Sequence, residues 1–410
     1  MELLISILHD ILGFKRFPRD AKLLIISSIV MSFTQGYMFV DFSIYLSQVG
    51  YNTYLIGIVL SVPTFLGALF MIPMGHLSDM YGRKRFILMA RLFSFIGATI
   101  YFLTYNLILI IIAGIFQGIA FANASSSYNA LMAEKTTPQD RNLIFASNSF
   151  LSGMAQAAGM FYGSIPPIIG HIYHLDVFTS YRVLFLTSII GLLISTLLIL
   201  RVKEDYSGNR KGNMKFFDLF HFPEKSKGTI IKLSVLGMIG LGAGIIVRLF
   251  SLWFYLKFHV NVDVLGPIFS VSQIVTAFAS ITTPSIARKI GEIRTIVFTE
   301  ALSVIILITM PFLPYYYLAG IFLIVRNFLM NMSGPIMTSF TMSIIPEDER
   351  ARGSAIIQFF DSLPRSFGPY IGGFFMSLGY IDLPFYFTGT LYSISIGLFY
   401  LFFRNVKIPK

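Results

Sequence analysis

Gly75-His76-Leu77-Ser78-Asp79-Met80-Tyr81-Gly82-Arg83-Lys84-Arg85 is a dense polar turn set between two long apolar runs. The run before it extends from about residue 54 to 74 and the run after it from about 86 to 105. Each is about as long as a helix must be to cross a bilayer, roughly 20 residues. Two such helices joined by so short a connection form a hairpin. Three adjacent cations, Arg83, Lys84 and Arg85, hold it on the cytoplasmic side.

Working outward, the same alternation fills the chain. Of 410 residues 55% are hydrophobic and only 12% charged, about half the charge of a soluble chain. With a mean hydropathy of +0.74, this apolar surface belongs in lipid. The pattern predicts twelve spans: 22–46, 54–74, 86–105, 107–131, 143–167, 181–200, 230–256, 264–287, 295–313, 315–343, 353–377 and 384–403. The net charge of +11 is a topology signal. Most of the 31 Lys and Arg fall in loops on the side of Gly82, and Arg182 and Lys257 alone fall in the opposite loops. Both termini are therefore expected in the cytoplasm, with the chain in the cell membrane and its cations facing anionic lipid. Nucleic-acid binding is not expected.

The pattern G-x-L-S-D-x-x-G-R-K-R, placed between the second and third apolar runs, resembles the loop 2–3 signature of the major facilitator superfamily of transporters. The resemblance covers about residues 20–405. It implies an all-α polytopic fold of twelve transmembrane helices in two pseudo-symmetric six-helix bundles, with a substrate site between them near mid-membrane. The expected domains are an N-terminal interfacial segment 1–20, a first bundle 21–200, a cytoplasmic linker 201–229, a second bundle 230–404 and a tail 405–410. Leu4, Ile7, Leu8 and Ile11 at helical spacing make the first segment a short interfacial helix.

The halves read as copies. At an offset of 209 residues, the separation of Gly82 and Gly291, Arg85 falls on Arg294, Arg141 on Arg350, Gly159 on Gly368 and Gly163 on Gly372. The second loop copy is degraded, with Arg288 where Asp79 stands. Gly368-Pro369-Tyr370-Ile371-Gly372-Gly373 resembles an element that drug exporters of this superfamily carry in helix five. Here it lies in helix eleven, and tight packing beside a bend explains it equally well.

The resemblance also implies a conformational lock at Gly75, Asp79, Gly82, Arg83 and Glu134. In the outward-facing state the aspartate meets the positive end of helix eleven and the arginine an acid on helix four. Charges within spans need a partner or a purpose. Asp41 and Arg248, in the outer parts of helices one and seven, are a candidate outer gate; water binding by each is the alternative. Arg326, Asp361, Arg365, Gln117 and Gln156 are the candidate substrate and proton site. Asp361 and Arg365, four apart, form a self-neutralised pair, or Asp361 is shared with Arg326 and takes up a proton. Gly114 stands where an arginine precedes the Gln117-Gly118 pair in proton-coupled relatives. Arg91 and Glu300 match across the repeat and read as snorkelling or structural.

No cysteine is present, so disulfides and thiolate sites are excluded. There is no phosphate-binding glycine loop and no H-E-x-x-H, and no cofactor or metal is expected. His171-x-x-His174 with Asp176 has metal-like spacing but reads as a solvated loop. No nucleophile–base pair supports a membrane hydrolase, so the chain is not expected to be an enzyme. The expectation is a monomeric secondary transporter, coupled to protons, for a small molecule of drug-permease type. An organic anion, or a lipid flipped on the same fold, is the alternative.

Overall fold

The computed structural model describes residues 16–137, 139–204, 224–347 and 349–405; the side chains of 126, 280–288, 290, 351 and 352 are not described. The interfacial helix expected in the first twelve residues, and most of the expected linker, lie outside the described residues. Among the described residues the chain is helical with no strand.

The first half contains α1 (Arg19–Gln48), α2 (Thr53–Tyr81), α3 (Arg83–Leu103), α4 (Leu107–Glu134), α5 (Arg141–Tyr162), α6 (Ile165–Tyr173) and α7 (Val177–Leu200). The second contains α8 (Lys227–Leu233), α9 (Leu236–Ile246), a 3-10 turn at Val247–Leu249, α10 (Phe250–Phe258), α11 (Val262–Ile290), α12 (Glu292–Thr309), α13 (Tyr316–Ile344), α14 (Arg350–Ser377) and α15 (Leu383–Phe403). Helices α5 and α6 make one passage, as do α8 to α10, so the described residues make twelve passages.

The opening stretch is almost wholly helical rather than a turn. Helix α2 runs on to Tyr81 and α3 starts at Arg83, so the hairpin bends at Gly82 alone. Polar residues beyond the apolar run still find intrahelical hydrogen bonds. Only a φ of 104°, which glycine alone adopts at no steric cost, breaks the helix. Gly291 bends the second hairpin in the same way, with φ 92°. The offset of 209 carries Thr53–Tyr81 onto Val262–Ile290, and the first residues of α3, α4 and α5 onto those of α12, α13 and α14.

Ten helices among the described residues are long and apolar enough to cross a membrane. The two passages that complete the twelve, α5–α6 and α14, are repeat partners. Both gave up apolar length for small and polar residues, and both face the opposite half. Helix α5 packs on α11, and α14 on α2, while α1 packs on α5 and α9 on α14.

The core is divided unevenly. At the end away from Gly82, the far end, one apolar cluster joins both halves, with Tyr37, Ile44 and Ile56 against Leu249, Trp253 and Phe269. At the cationic end each half has its own cluster: Leu24, Ile87, Leu131 and Ile144 in the first, Leu233, Ile296, Phe340 and Phe403 in the second. Among the described residues, burial thus joins the halves at the far end, while at the cationic end each half keeps a core of its own.

Candidate functional site

The far-end seal is close and neutral. Gly57 meets the Pro369 carbonyl and Gly373 the Thr53 carbonyl, so any side chain at either position would collide with backbone. Tyr54 packs on Tyr370, and the Ser61 hydroxyl accepts a hydrogen bond from the Tyr370 amide at 2.9 Å. Ser43 and Ser251 share a hydrogen bond of 3.1 Å, and Gln48 donates to Asn261 at 3.1 Å. Gln156 accepts from Gln273 at 3.1 Å, the deepest described hydrogen bond between the halves. In the exporter-like element, Gly368 and Gly372 press on α9 and Gly373 on α2. Its glycines serve packing.

Asp41 and Arg248 are not brought together. Arg248 falls on position 39 of the repeat, and its guanidinium lies 5.9 Å from the Phe39 ring. Asp41 is two residues further, about 200° around the helix, and so faces α5 instead. There it abuts Gly163, buried, with neither carboxylate oxygen hydrogen-bonded.

The second half holds the charged site. Arg365 binds Asp361 through both nitrogens, Nε at 3.1 Å and Nη2 at 2.8 Å, and the two side chains are 43% and 31% exposed midway along α14. Arg326 is separate from this pair. It is 3% exposed and donates to Asn327 at 2.9 Å and to the Tyr392 hydroxyl at 3.3 Å, with Phe250 and Tyr392 rings 5.7 and 5.8 Å away. Its Nε has no hydrogen-bond partner. Asn327 passes the contact on to Ser272 at 2.9 Å. The charges of Arg326 and Arg365 and, more weakly, that of buried Glu300 reach Tyr392, and that of Arg365 reaches the exposed Arg248. Asp361 is the one acid paired within this group. Gln117 turns away from the space between the halves and donates to the Ser94 carbonyl at 3.3 Å. Asn327, Gln273 and Tyr392 escaped the sequence reading: amides and tyrosines are common in this chain, and nothing in their spacing singles them out.

At the cationic end Arg83 joins Asp79 and Glu134, both at 2.8 Å, and donates to the Ala130 carbonyl at 3.0 Å. Gly75 supplies a carbonyl to the Ser78 hydroxyl at 2.9 Å. Glu204 accepts from the Lys84 amide at 3.1 Å and lies against Gly82. Asp79, half-exposed, pairs within its own half. Arg91 and Glu300 do not snorkel; they are 6% and 4% exposed inside their bundles.

Asp176 is the N-cap of α7. Its hydrogen bonds from the Thr179 hydroxyl and amide hold its carboxyl below the usual range. Among the described residues no cluster suited to a metal occurs.

Residues 24–369 match the family model of the Major Facilitator Superfamily. The chain belongs to that superfamily. Solved structures of the same fold include a point mutant of the nucleoside transporter NupG, with TM-score 0.76 and 13% identity over 94% of this chain and 100% of that one. A bacterial homologue of the human lysosomal transporter Spinster, inward-facing and unoccupied, gives 0.74 and 13%, covering 93% and 96%. A D-xylose–proton symporter gives 0.73 and 12%, covering 93% and 97%. No curated protein matches the chain. It is thus an integral membrane transporter of the superfamily.

Proposed function

We propose that this transporter moves a small organic anion, a carboxylate or organic phosphate, by alternating access coupled to protons. The observation that carries the reading is the accessible Asp361–Arg365 pair, with Arg248 exposed in electrostatic range and Arg326 buried behind. Three arginines against one paired carboxylate leave an excess of positive charge that an anion relieves. The anion competes with Asp361 for Arg365. Asp361, released from its cation, then takes a proton, so that solute and proton travel together. A proton symporter and a nucleoside transporter of the same fold support a small polar cargo.

On this reading the cationic end is cytoplasmic, the protein sits in the cell membrane as a monomer, and the seal at Gly57 and Gly373 defines an inward-open state. Asp79 then leaves Arg83 for the end of α14 when the halves close over the cytoplasmic side. The reading is tested in proteoliposomes with an imposed pH gradient, by offering labelled carboxylates and organic phosphates beside neutral sugars and nucleosides. Saturable, gradient-driven uptake of an anion is the expected result. Transport of neutral solutes alone overturns it.

A further inference from the structure

The break between α5 and α6 lies against the unpartnered Asp41. Helix α5 ends at Tyr162, and α6 begins at Ile165 with prolines at 166 and 167. Proline has no N–H, so the Tyr162 and Gly163 carbonyls lose the donors that a continuous helix supplies. The Ser164 amide turns to the Phe161 carbonyl at 3.1 Å, which removes the helical donor from Met160. Asp41 rests on the same glycine, where a methyl group would strike its Oδ2, and the Met160 carbonyl borders that space.

The polar atoms around Asp41 also lack partners. Both of its carboxylate oxygens, the Tyr45 hydroxyl one turn on and the Tyr181 hydroxyl on α7 are buried without a hydrogen bond. These three residues are 1%, 1% and 3% exposed. The Tyr45 and Tyr181 rings are 5.1 Å apart, and the charge of Asp41 reaches both Tyr181 and Tyr37. Tyr162 on α5, Tyr255 on α10 and Asp263 on α11 are the other titratable groups in electrostatic range of this cluster. Among the described residues no cationic side chain pairs with Asp41. An ionised carboxylate buried in this way costs several kcal/mol unless something compensates it. A mostly apolar cavity of about 470 Å³ reaches the break at Tyr162, Ser164 and Ile165, and Asp263 gives its wall one acid.

We propose that Asp41 and the carbonyls freed at the α5–α6 break form a site for one small monovalent cation, Na⁺. A single carboxylate balances one positive charge, whereas a divalent ion draws on several. Unwound backbone carbonyls beside an acid provide the hard oxygen ligands that Na⁺ takes in broken membrane helices. The site lies in the first half, apart from the arginines of the second, and does not depend on which solute is carried.

The test uses the purified full chain in detergent, without substrate, melted in NaCl or in choline chloride at equal ionic strength. At pH 8, Na⁺ raises the melting temperature, and the rise shrinks at pH 6 as protons compete for Asp41. Asp41→Asn abolishes the Na⁺ response. Pro167→Ala, which returns a helical donor to the Gly163 carbonyl and leaves the fold intact, shifts the half-saturating Na⁺ concentration upward roughly tenfold. Equal melting in Na⁺ and choline at pH 8 overturns the site, and so does melting that follows pH alone, which would mean that Asp41 takes only a proton. If Asp41→Asn does not fold, an unchanged Na⁺ midpoint in Pro167→Ala is sufficient to reject it.

Discussion

The two halves share a backbone frame and almost none of their chemistry. Helix starts, hairpin bends and glycine contacts repeat at the offset of 209, down to the positive φ of Gly82 and Gly291. The charged and amide residues inside the spans do not repeat. Gln156 matches Arg365, Gln117 matches Arg326, Phe39 matches Arg248, Asp41 matches Phe250, and buried Arg91 matches buried Glu300. Inside the spans the repeated residues are therefore mainly those that set backbone approach, and the unshared ones carry the charges on which the proposed anion site rests. The first half presents amides and one lone acid; the second presents three arginines and their counter-ion.

Giving the second half the first half's residue should have the largest effect. Arg365→Gln copies Gln156 and removes the cation that holds Asp361. Hydrogen bonds to charged groups contribute about 1.5–3 kcal/mol each, so transport efficiency for an anion is expected to fall by about 100-fold. Arg365 is 43% exposed, so expression and monodispersity should persist. Uptake at several substrate concentrations checks this. An unchanged efficiency would mean that the asymmetry between the halves has no role in recognition.

Asp361→Asn separates binding from coupling. The variant keeps all three arginines and loses the carboxylate. Proton-driven accumulation should vanish while exchange of substrate across the membrane continues. Concentration of substrate against its gradient by this variant would remove Asp361 from the proton path and leave Asp41 or Glu134 to carry it.

A third change acts on the seal that both halves build together. Gly57 is within contact of the Pro369 carbonyl, with no room for a side chain. Gly57→Leu should prevent closure at the far end and shift the population away from the present state. Accessibility of a cysteine placed at Ser61, measured by labelling from the far side, should rise several-fold. Unchanged labelling would show that the contact between α2 and α14 does not close the path.

Much of the frame was legible in the sequence, because hydropathy, cation placement and one hinge motif each report on the same backbone. The Gly75–Arg85 stretch located the hairpin, although it read as a loop where one glycine suffices. The α5–α6 and α14 passages were read as spans from their apolar runs, although their hydropathy is the weakest of the twelve. The site was less legible. The Asp361–Arg365 pair follows from helical spacing, and the structure forms it. Which face a lone charge takes does not follow. Asp41 and Arg248 read as facing each other, and a displacement of two residues put them on opposite sides of the seam. Arg326 read as open to the cavity, yet it turns inward to Asn327 and Tyr392.

The smallest expected effect belongs to Asp79→Asn, at the point where the two halves differ most in their hairpin loops. Asp79 is 52% exposed, and among the described residues its ion-pair partner is Arg83, at the start of α3 just past the Gly82 bend. Such a pair in water contributes about 0.2–1 kcal/mol, and Arg83 keeps Glu134 and the Ala130 carbonyl in the variant. The melting temperature should therefore scarcely change. On the proposed lock, turnover should still slow several-fold, since the variant lacks the charge that would meet α14 when the cationic end closes. The two measurements must be made on the same preparation. A large loss of stability would make Asp79 a brace of its own half. Unchanged turnover at saturating substrate and driving force would make the loop an anchor, with Arg83 and Glu134 holding α2 and α3 to α4 in every state.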